Sequence, residues 1–524
     1  MKGPEGALMR KRSRSALAVT GAMALAAALP AARAQEPPAP ATPMGSLRPA
    51  WVFEPGLSLR ETLTSNVRLS EVGMVDAVTE VSPQIRLRRD TGSLQGYLDY
   101  SITGQLYARN PRDNALQQSL ATHGRAELVA NKFYLDADAR ISRQANSILT
   151  SGASDSALLD ANRSEVATLR LSPSLLGVLG DWAEVEVRLD LAATRAKDSP
   201  ADSYTNGADV HLAAPASARR RLGWSLDLSH QASRYLSGTS TQSDRAIGTL
   251  LYGLTPELRL SARAGREAND VLSVGRNSYE TWGLGLRWLP TVRSAVEVNA
   301  DDRYFGRSYS LRLEHRFARS VFTYTDTRDA TGDAASGSNA LRTVYDLFFD
   351  GLASSVPDPL QRAAFVDAFL QNNGLTRTSL ASGGFLTTGV SLQRRQQLAM
   401  AFNGVRSTLL VSAYRGEVSS FNGLQAVLPG QPAGSGAHQR GLSVSVSHRL
   451  TPVSSLNLDA SYSRSAGAAS AEGVSSSTTT LTASWNLLLA QRSSLSLLAR
   501  RTSVSSNSKP YQENAVVANL AKRF

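Results

Sequence analysis

Apolar residues recur at every second position along most of this chain, in runs of about ten residues. In AEVEVRLDL, Val185, Val187, Leu189 and Leu191 point one way and Glu184, Glu186, Arg188 and Asp190 the other, because side chains alternate across a strand. FYLDADARIS sets Phe133, Leu135, Ala137, Ala139 and Ile141 against Tyr134, Asp136, Asp138 and Arg140. GLSVSVSHRL sets Leu442, Val444 and Val446 against three serines. Compact turns such as RRDTGS, LTPE, LPTVRS and LTPVSS join many of these runs in pairs, and longer polar or Gly/Ser-rich linkers separate the pairs.

Roughly 22 such segments fit between Gly56 and Phe524, each weak alone and strong in sum. The pattern predicts an all-β fold: a transmembrane antiparallel β-barrel of about 22 strands (18 to 24 allowed), apolar outside and polar inside, with short turns on one side and long loops on the other. Charge in the middle of the polar faces suits a wet lumen and not a sandwich core. Trp51, Trp182, Trp224, Trp288 and Trp485 all fall beside compact turns or the chain start, as a belt at one membrane interface requires.

The last segment, NAVVANLAKRF, keeps the alternation to its final residue. Val516, Ala518, Leu520 and Phe524 share one face, the arrangement expected of a strand that pairs with the first one, leaves no edge and carries the signal read by the assembly machinery. Lys522 departs from the apolar residue expected at its position, and its stem can snorkel to water.

One insert, 330–393, breaks the period. Within it, helix is expected over about 341–374: Asp358 can cap, Pro359 suits the first helical position and Gly374 ends the run. Leu360 and Phe369 belong to one apolar face. The insert falls on the long-loop side, extracellular or dropped into the lumen, and is a candidate gate. The plainer reading is a surface ornament.

Ahead of the barrel, residues 1–34 read as a signal peptide: Arg10, Lys11, Arg12 and Arg14, a short apolar run, then Ala32-Arg33-Ala34 before Gln35. Residues 35–50 form a Pro-rich periplasmic linker, and 51–524 the barrel. Losing 1–34 removes six basic residues and one acidic one and lowers the formal charge from +12 to +7, which does not imply nucleic acid. Absence of Cys excludes disulfide frameworks, thiol catalysis and Cys-held metals.

Chemistry is sparse. No histidine lies two residues from a serine, so no Ser/His pair shares one strand face; a pair assembled from different strands stays open. With no nucleotide, metal or haem motif, no cofactor and no catalytic activity are expected. Arg86, Arg88, Arg140, Arg188, Arg259, Arg263 and Arg312 fall on the polar faces and are expected to face the lumen. There they either meet an anionic passenger or, the favoured reading, form cross-barrel ion pairs.

Several stretches resemble one family: PGLSLRETLTSNVRLS (Pro55 to Ser70), SPQIRLRRDTGSLQGYLDYSITGQLYARN, NALQQSLATHGRAELVANKFYLDADARISRQ and FNGVRSTLLVSAYR. They are similar to the outer-membrane proteins of the PEP-CTERM/exosortase system. The resemblance covers nearly the whole chain after residue 34 and brings no catalytic residues. It implies an accessory barrel beside exopolysaccharide biosynthesis and export, with exopolysaccharide, its export proteins and outer-membrane lipid as partners. The chain carries no PEP-CTERM sorting tail and is expected to be a partner of that system, not its substrate. The alternatives are a general diffusion or uptake porin, and a structural or polysaccharide-binding barrel without a pore.

Overall fold

The computed structural model describes residues 51–89, 92–147, 149–150, 153, 155–197, 201–215, 221–236, 240–273, 275–331, 345, 349, 362, 366, 390–421, 436–468 and 473–524. The first strands are β1 (Val52–Thr64), β2 (Asp76–Arg89), β3 (Leu94–Tyr107), β4 (Ala115–Val129), β5 (Phe133–Ala145), β6 (Arg163–Leu179), β7 (Ala183–Ala196) and β8 (Ser203–Ala213). Next come β9 (Leu222–Tyr235), β10 (Ser240–Gly253), β11 (Leu258–Asn269), β12 (Asn277–Thr291), β13 (Ser294–Arg303), β14 (Gly306–Arg316), β15 (Ser320–Thr331) and β16 (Ser391–Asn403). The series ends with β17 (Ser407–Ser420), β18 (Gly436–Thr451), β19 (Ser454–Ala468), β20 (Ser475–Ala490), β21 (Ser493–Ser506) and β22 (Tyr511–Arg523).

Each strand pairs antiparallel with its neighbours in sequence, and β1 pairs with β22, closing a 22-stranded ring. Closure runs from Gly56 opposite Arg523 to Thr64 opposite Ala515. It leaves no unpaired edge, the condition for strands to cross a bilayer. The terminal residue is tied in as well: the Phe524 amide donates to the Pro55 carbonyl at 2.9 Å.

Register carries one alternation around the whole ring. In β1, Leu57, Leu59 and Leu63 are exposed outward, while Gly56, Thr62 and Thr64 are buried inward. In β22, Val516, Leu520 and Phe524 are exposed on the outer face, Ala518 shares it, and Glu513, Ala515 and Val517 are buried on the inner one. Lys522 lies on the outer face with its ammonium 5.2 Å from the Phe524 ring. A cation–π contact at the rim accounts for the polar residue there.

Trp51, Trp182, Trp224, Trp288 and Trp485 all lie near the short-turn ends of strands. Trp182 and Trp224 stack at 6.0 Å with their planes 18° apart. Amphipathic rings at that height fit an interfacial belt.

On the long-loop side β13 and β14 are joined by Tyr304 and Phe305 alone, with Gly306 at φ 89°. The tip is held by aromatics, Tyr304 lying 6.1 Å from Tyr279 and 6.0 Å from Phe421. Of the insert between β15 and β16, Tyr345, Phe349, Arg362 and Val366 are described, each with helical backbone. Asp358, Pro359, Leu360, Phe369 and Gly374 lie outside the described residues.

An arginine on the outer face has no water to solvate it, whereas one on the inner face does. Leu189→Arg, at an outward position 46% exposed, is expected to cost about 2–4 kcal/mol. Ser445→Arg, on the inner face of β18, is expected to cost less. Urea titration of barrels folded into vesicles measures both.

Candidate functional site

Between β5 and β6 the chain turns inward. The base of this loop, 146–162, is clamped by Asn162: its Oδ1 accepts the Ser147 amide at 2.9 Å and its Nδ2 donates to the carbonyls of Ser147 and Thr150. Asp160 accepts the Ala153 amide at 2.6 Å, and Asp155 accepts the Ala157 amide at 3.0 Å. Short Asp and Asn side chains compete well for local amides, so the described residues of this stretch make turns and not strand.

At its centre Asp155 stands between Arg60 of β1 and Arg500 of β21 and is ion-paired to both. Arg500 also grips Glu513 of β22, from Nη2 to Oε1 at 3.0 Å and from Nε to Oε2 at 3.2 Å. Thr64 donates to the same carboxylate at 2.9 Å. Arg60 reaches Glu80 of β2 at 3.4 Å. Gln105 of β3 donates from Nε2 to Glu80 at 2.8 Å and to the Ser156 carbonyl at 2.9 Å. Tyr107 donates its hydroxyl to the Ala157 carbonyl at 3.0 Å. Glu513 is fully buried and the Asp155 side chain is 3% exposed. Buried charges in such a cluster are costly unless every partner is in place.

Apolar anchors extend the contact. Ala153 and Leu158 pack with Leu69, Val504 and Tyr511, and Ala157 packs with Val67, Val78 and Tyr107. Leu149 packs against Val418 at the end of β17 and Ala437 at the start of β18. β6 and β17 are eleven strands apart in a ring of 22. A circular ring of that size is about 40 Å across, yet four residues from Ala145 to Leu149 reach at most about 14 Å. The mouth is therefore narrow in this direction, and the loop bridges it. We call the loop the strap.

Below the strap the wall divides by chemistry. All seven predicted arginines fall on the inner face by register. Arg86 pairs with Asp99 at 2.9 Å, Arg188 with Asp136 at 3.5 Å, Arg263 with Asp301 at 3.0 Å and Arg312 with Glu314 at 3.3 Å. Gly283 lies between Arg263 and Asp301 in register, and a Cβ there would collide with the Asp301 carboxylate. Arg88 and Arg140 also face inward, and Arg259 lies opposite Arg287, which pairs with Glu297 at 3.2 Å. β18 to β20 instead present mainly hydroxyls, with Asp459 and Asn457 among them: Ser443, Ser445 and Ser447, then Ser461 and Ser463, then Thr478, Thr480 and Thr482.

Two serine–histidine pairs form across strands: Ser294 Oγ and His315 Nδ1 lie 2.8 Å apart, as do Ser407 Oγ and His448 Nδ1. Both sit near the short-turn end, and among the described residues neither histidine is paired with a carboxylate. His123 and His211 meet Asp138 and Asp227 on the inner face at 2.8 and 2.6 Å. No group of three metal-ligating side chains occurs among the described residues.

No family model matches the chain, and no curated protein matches it. Among solved structures it is similar to the siderophore receptor PirA from Acinetobacter baumannii, at 7% identity over 90% of this chain and 80% of that one, TM-score 0.45. PirA from Pseudomonas aeruginosa gives 11% identity over 91% and 81%, TM-score 0.38. OccK5 (OpdH) from Pseudomonas aeruginosa gives 10% identity over 90% and 98%, TM-score 0.36. The barrel assignment itself rests on the closed ring of strand pairs.

Burial alone would raise the Asp155 pKa, but Arg60, Arg500 and the Ala157 amide outweigh it and hold the carboxyl well below its ordinary range. A depressed folded-state pKa adds stability above the unfolded pKa and loses it only as pH falls through the folded value. The strap is therefore expected to stay latched from pH 7 down to pH 4. Hydrogen exchange over 153–160, corrected for intrinsic rates, checks this. Asp155→Asn is expected to remove the protection throughout that range.

Proposed function

We propose that the protein is an outer-membrane channel closed at its outer mouth by the strap, and that its passenger is an exopolysaccharide. The observation that carries the channel reading is the bridged mouth: among the described residues, a loop crosses the polar lumen, reaching β17 and β18 through Leu149, and is held against β1, β3 and β21 by the buried Asp155 carboxylate, by hydrogen bonds to the Ser156 and Ala157 carbonyls and by a few apolar contacts. A loop held this way has two discrete states, because losing Asp155 from between Arg60 and Arg500 releases the whole set of contacts together.

Wall chemistry supports the passenger class. Sugars need many weak hydrogen-bond partners, and the hydroxyls of β18 to β20 supply them without binding tightly enough to stall transport. The arginines of the other wall are largely engaged by carboxylates on neighbouring strands, so they form a hydrated, near-neutral surface more than a trap for anions. The resemblance to PEP-CTERM/exosortase-associated barrels supports the same class and adds export proteins as partners. No catalytic step is part of this reading. Phe524 and the outward residues of β22 serve as the signal for the assembly machinery.

Single-channel recording in planar bilayers tests it. The wild type is expected to conduct poorly and Asp155→Asn to open often, since removing one partner of a buried pair costs the latched state about 3–5 kcal/mol. Large, steady conductance in the wild type would instead mean an open diffusion porin. A folded Asp155→Asn barrel with no conductance would mean a structural or surface-binding barrel. Addition of a long neutral polysaccharide is expected to block Asp155→Asn currents transiently.

A further inference from the structure

On the outer face, each strand from β17 to β22 runs from apolar residues near the short turns to polar ones near the loops. At that change of character Arg415, Arg440 and Arg464 stand directly opposite one another on β17, β18 and β19. Arg501 occupies the outer face of β21. Each lies four or five residues from the loop end of its strand, and all four are exposed. Like charges directly opposite one another destabilise a sheet, the more so beside a bilayer that screens poorly.

These arginines are hardly neutralised by the protein. Arg415 donates to Glu417 at 2.8 Å, and His438 approaches the same carboxylate at 4.0 Å. Arg440, Arg464 and Arg501 have no ion-pair partner among the described residues. Elsewhere on the outer face, two carboxylates near the loop ends are matched: Asp244 meets His230 and Arg276, and Asp326 meets Arg394 at 3.5 Å and Gln396 at 2.8 Å.

A groove of roughly 650 Å³ opens on the same surface, beside the arginine row. Its floor is small because Ala460, Ala483 and Ala499 replace the large residues found on other strands, and Leu458 and Val516 wall it. Arg501 lines it too. An apolar furrow a few side chains wide, running up to unpaired guanidiniums, has the form of a lipid: hydrocarbon below, anion above.

We propose that this face binds one phosphorylated, multiply acylated lipid of the outer leaflet. The guanidiniums of Arg440 and Arg464, joined by Arg415 and Arg501, take the headgroup phosphates, for which the planar fork of arginine is well matched. One acyl chain lies over the three alanines. The site is independent of the strap and of whatever crosses the lumen.

Native mass spectrometry of the folded full-length barrel tests the assignment, using purified lipid A, its dephosphorylated form and inorganic phosphate as probes. Heat-modifiable gel mobility verifies folding of each variant. Wild type is expected to retain one lipid A at least tenfold better than the dephosphorylated form. Arg440→Gln/Arg464→Gln is expected to lose that preference. Ala483→Phe, which fills the groove and leaves the arginines, is expected to weaken retention of both lipids. Equal retention of the two lipids by wild type, or unchanged preference in the double variant, would overturn the proposal. So would displacement of lipid A by millimolar inorganic phosphate, since that would reduce the row to a site for free anions.

Discussion

Hydrocarbon offers no hydrogen bonds, so every backbone amide and carbonyl that crosses it must be paired by the protein itself. The β1–β22 ladder meets that demand, and the rest follows from it. Once the ring is closed, the alternation of each strand becomes an inside and an outside. A wide ring cannot fill its lumen with its own side chains, so the inner face is polar and the space must be wet or occupied. Among the described residues, the strap bridges the mouth on the long-loop side.

Holding a polar loop inside a barrel requires more than apolar contact, because its own amides and carboxylates lose water there. Asp155, Asp160 and Asn162 satisfy several of the described amides and carbonyls of loop 146–162 locally, and Gln105 and Tyr107 of the barrel take the Ser156 and Ala157 carbonyls. The charge of Asp155 is neutralised by two arginines from opposite sides of the closure seam. Those arginines are themselves held by Glu80 and Glu513. The latch and the seam thus share residues: Arg60, Thr64, Arg500 and Glu513 brace β21, β22 and β1 where the ring closes.

Much of this was legible in the sequence. Strand number, the two faces, the rim tryptophans and the closing strand all follow from a period of two and from turn chemistry, which are local signals. Inward placement of the seven arginines is the same kind of signal. Their pairing with Asp99, Asp136, Asp301 and Glu314 depended on register between strands, which no single run reveals. The strap was missed. ILTSGASDSALLD reads as an ordinary polar linker, whereas 341–374 carries clear helix signals. One clue was available: Leu149, Leu158 and Leu159 are large apolar residues in a loop rich in Ser, Ala, Asn and Asp, and they needed somewhere dry to go. Asp155, partnered by residues 95 and 345 positions away, could not be recognised without the fold.

Because the chain has no cysteine, the strap can be tethered without interference. In an Asp155→Asn background, Leu149→Cys and Val418→Cys would be joined by a short cleavable thiol cross-linker and conductance recorded before and after cleavage. If the strap closes the mouth, the cross-linked barrel conducts poorly and cleavage raises its conductance in the same bilayer. Equal conductance in the two states, from protein shown to be cross-linked, would mean that the strap lies across the mouth without closing it.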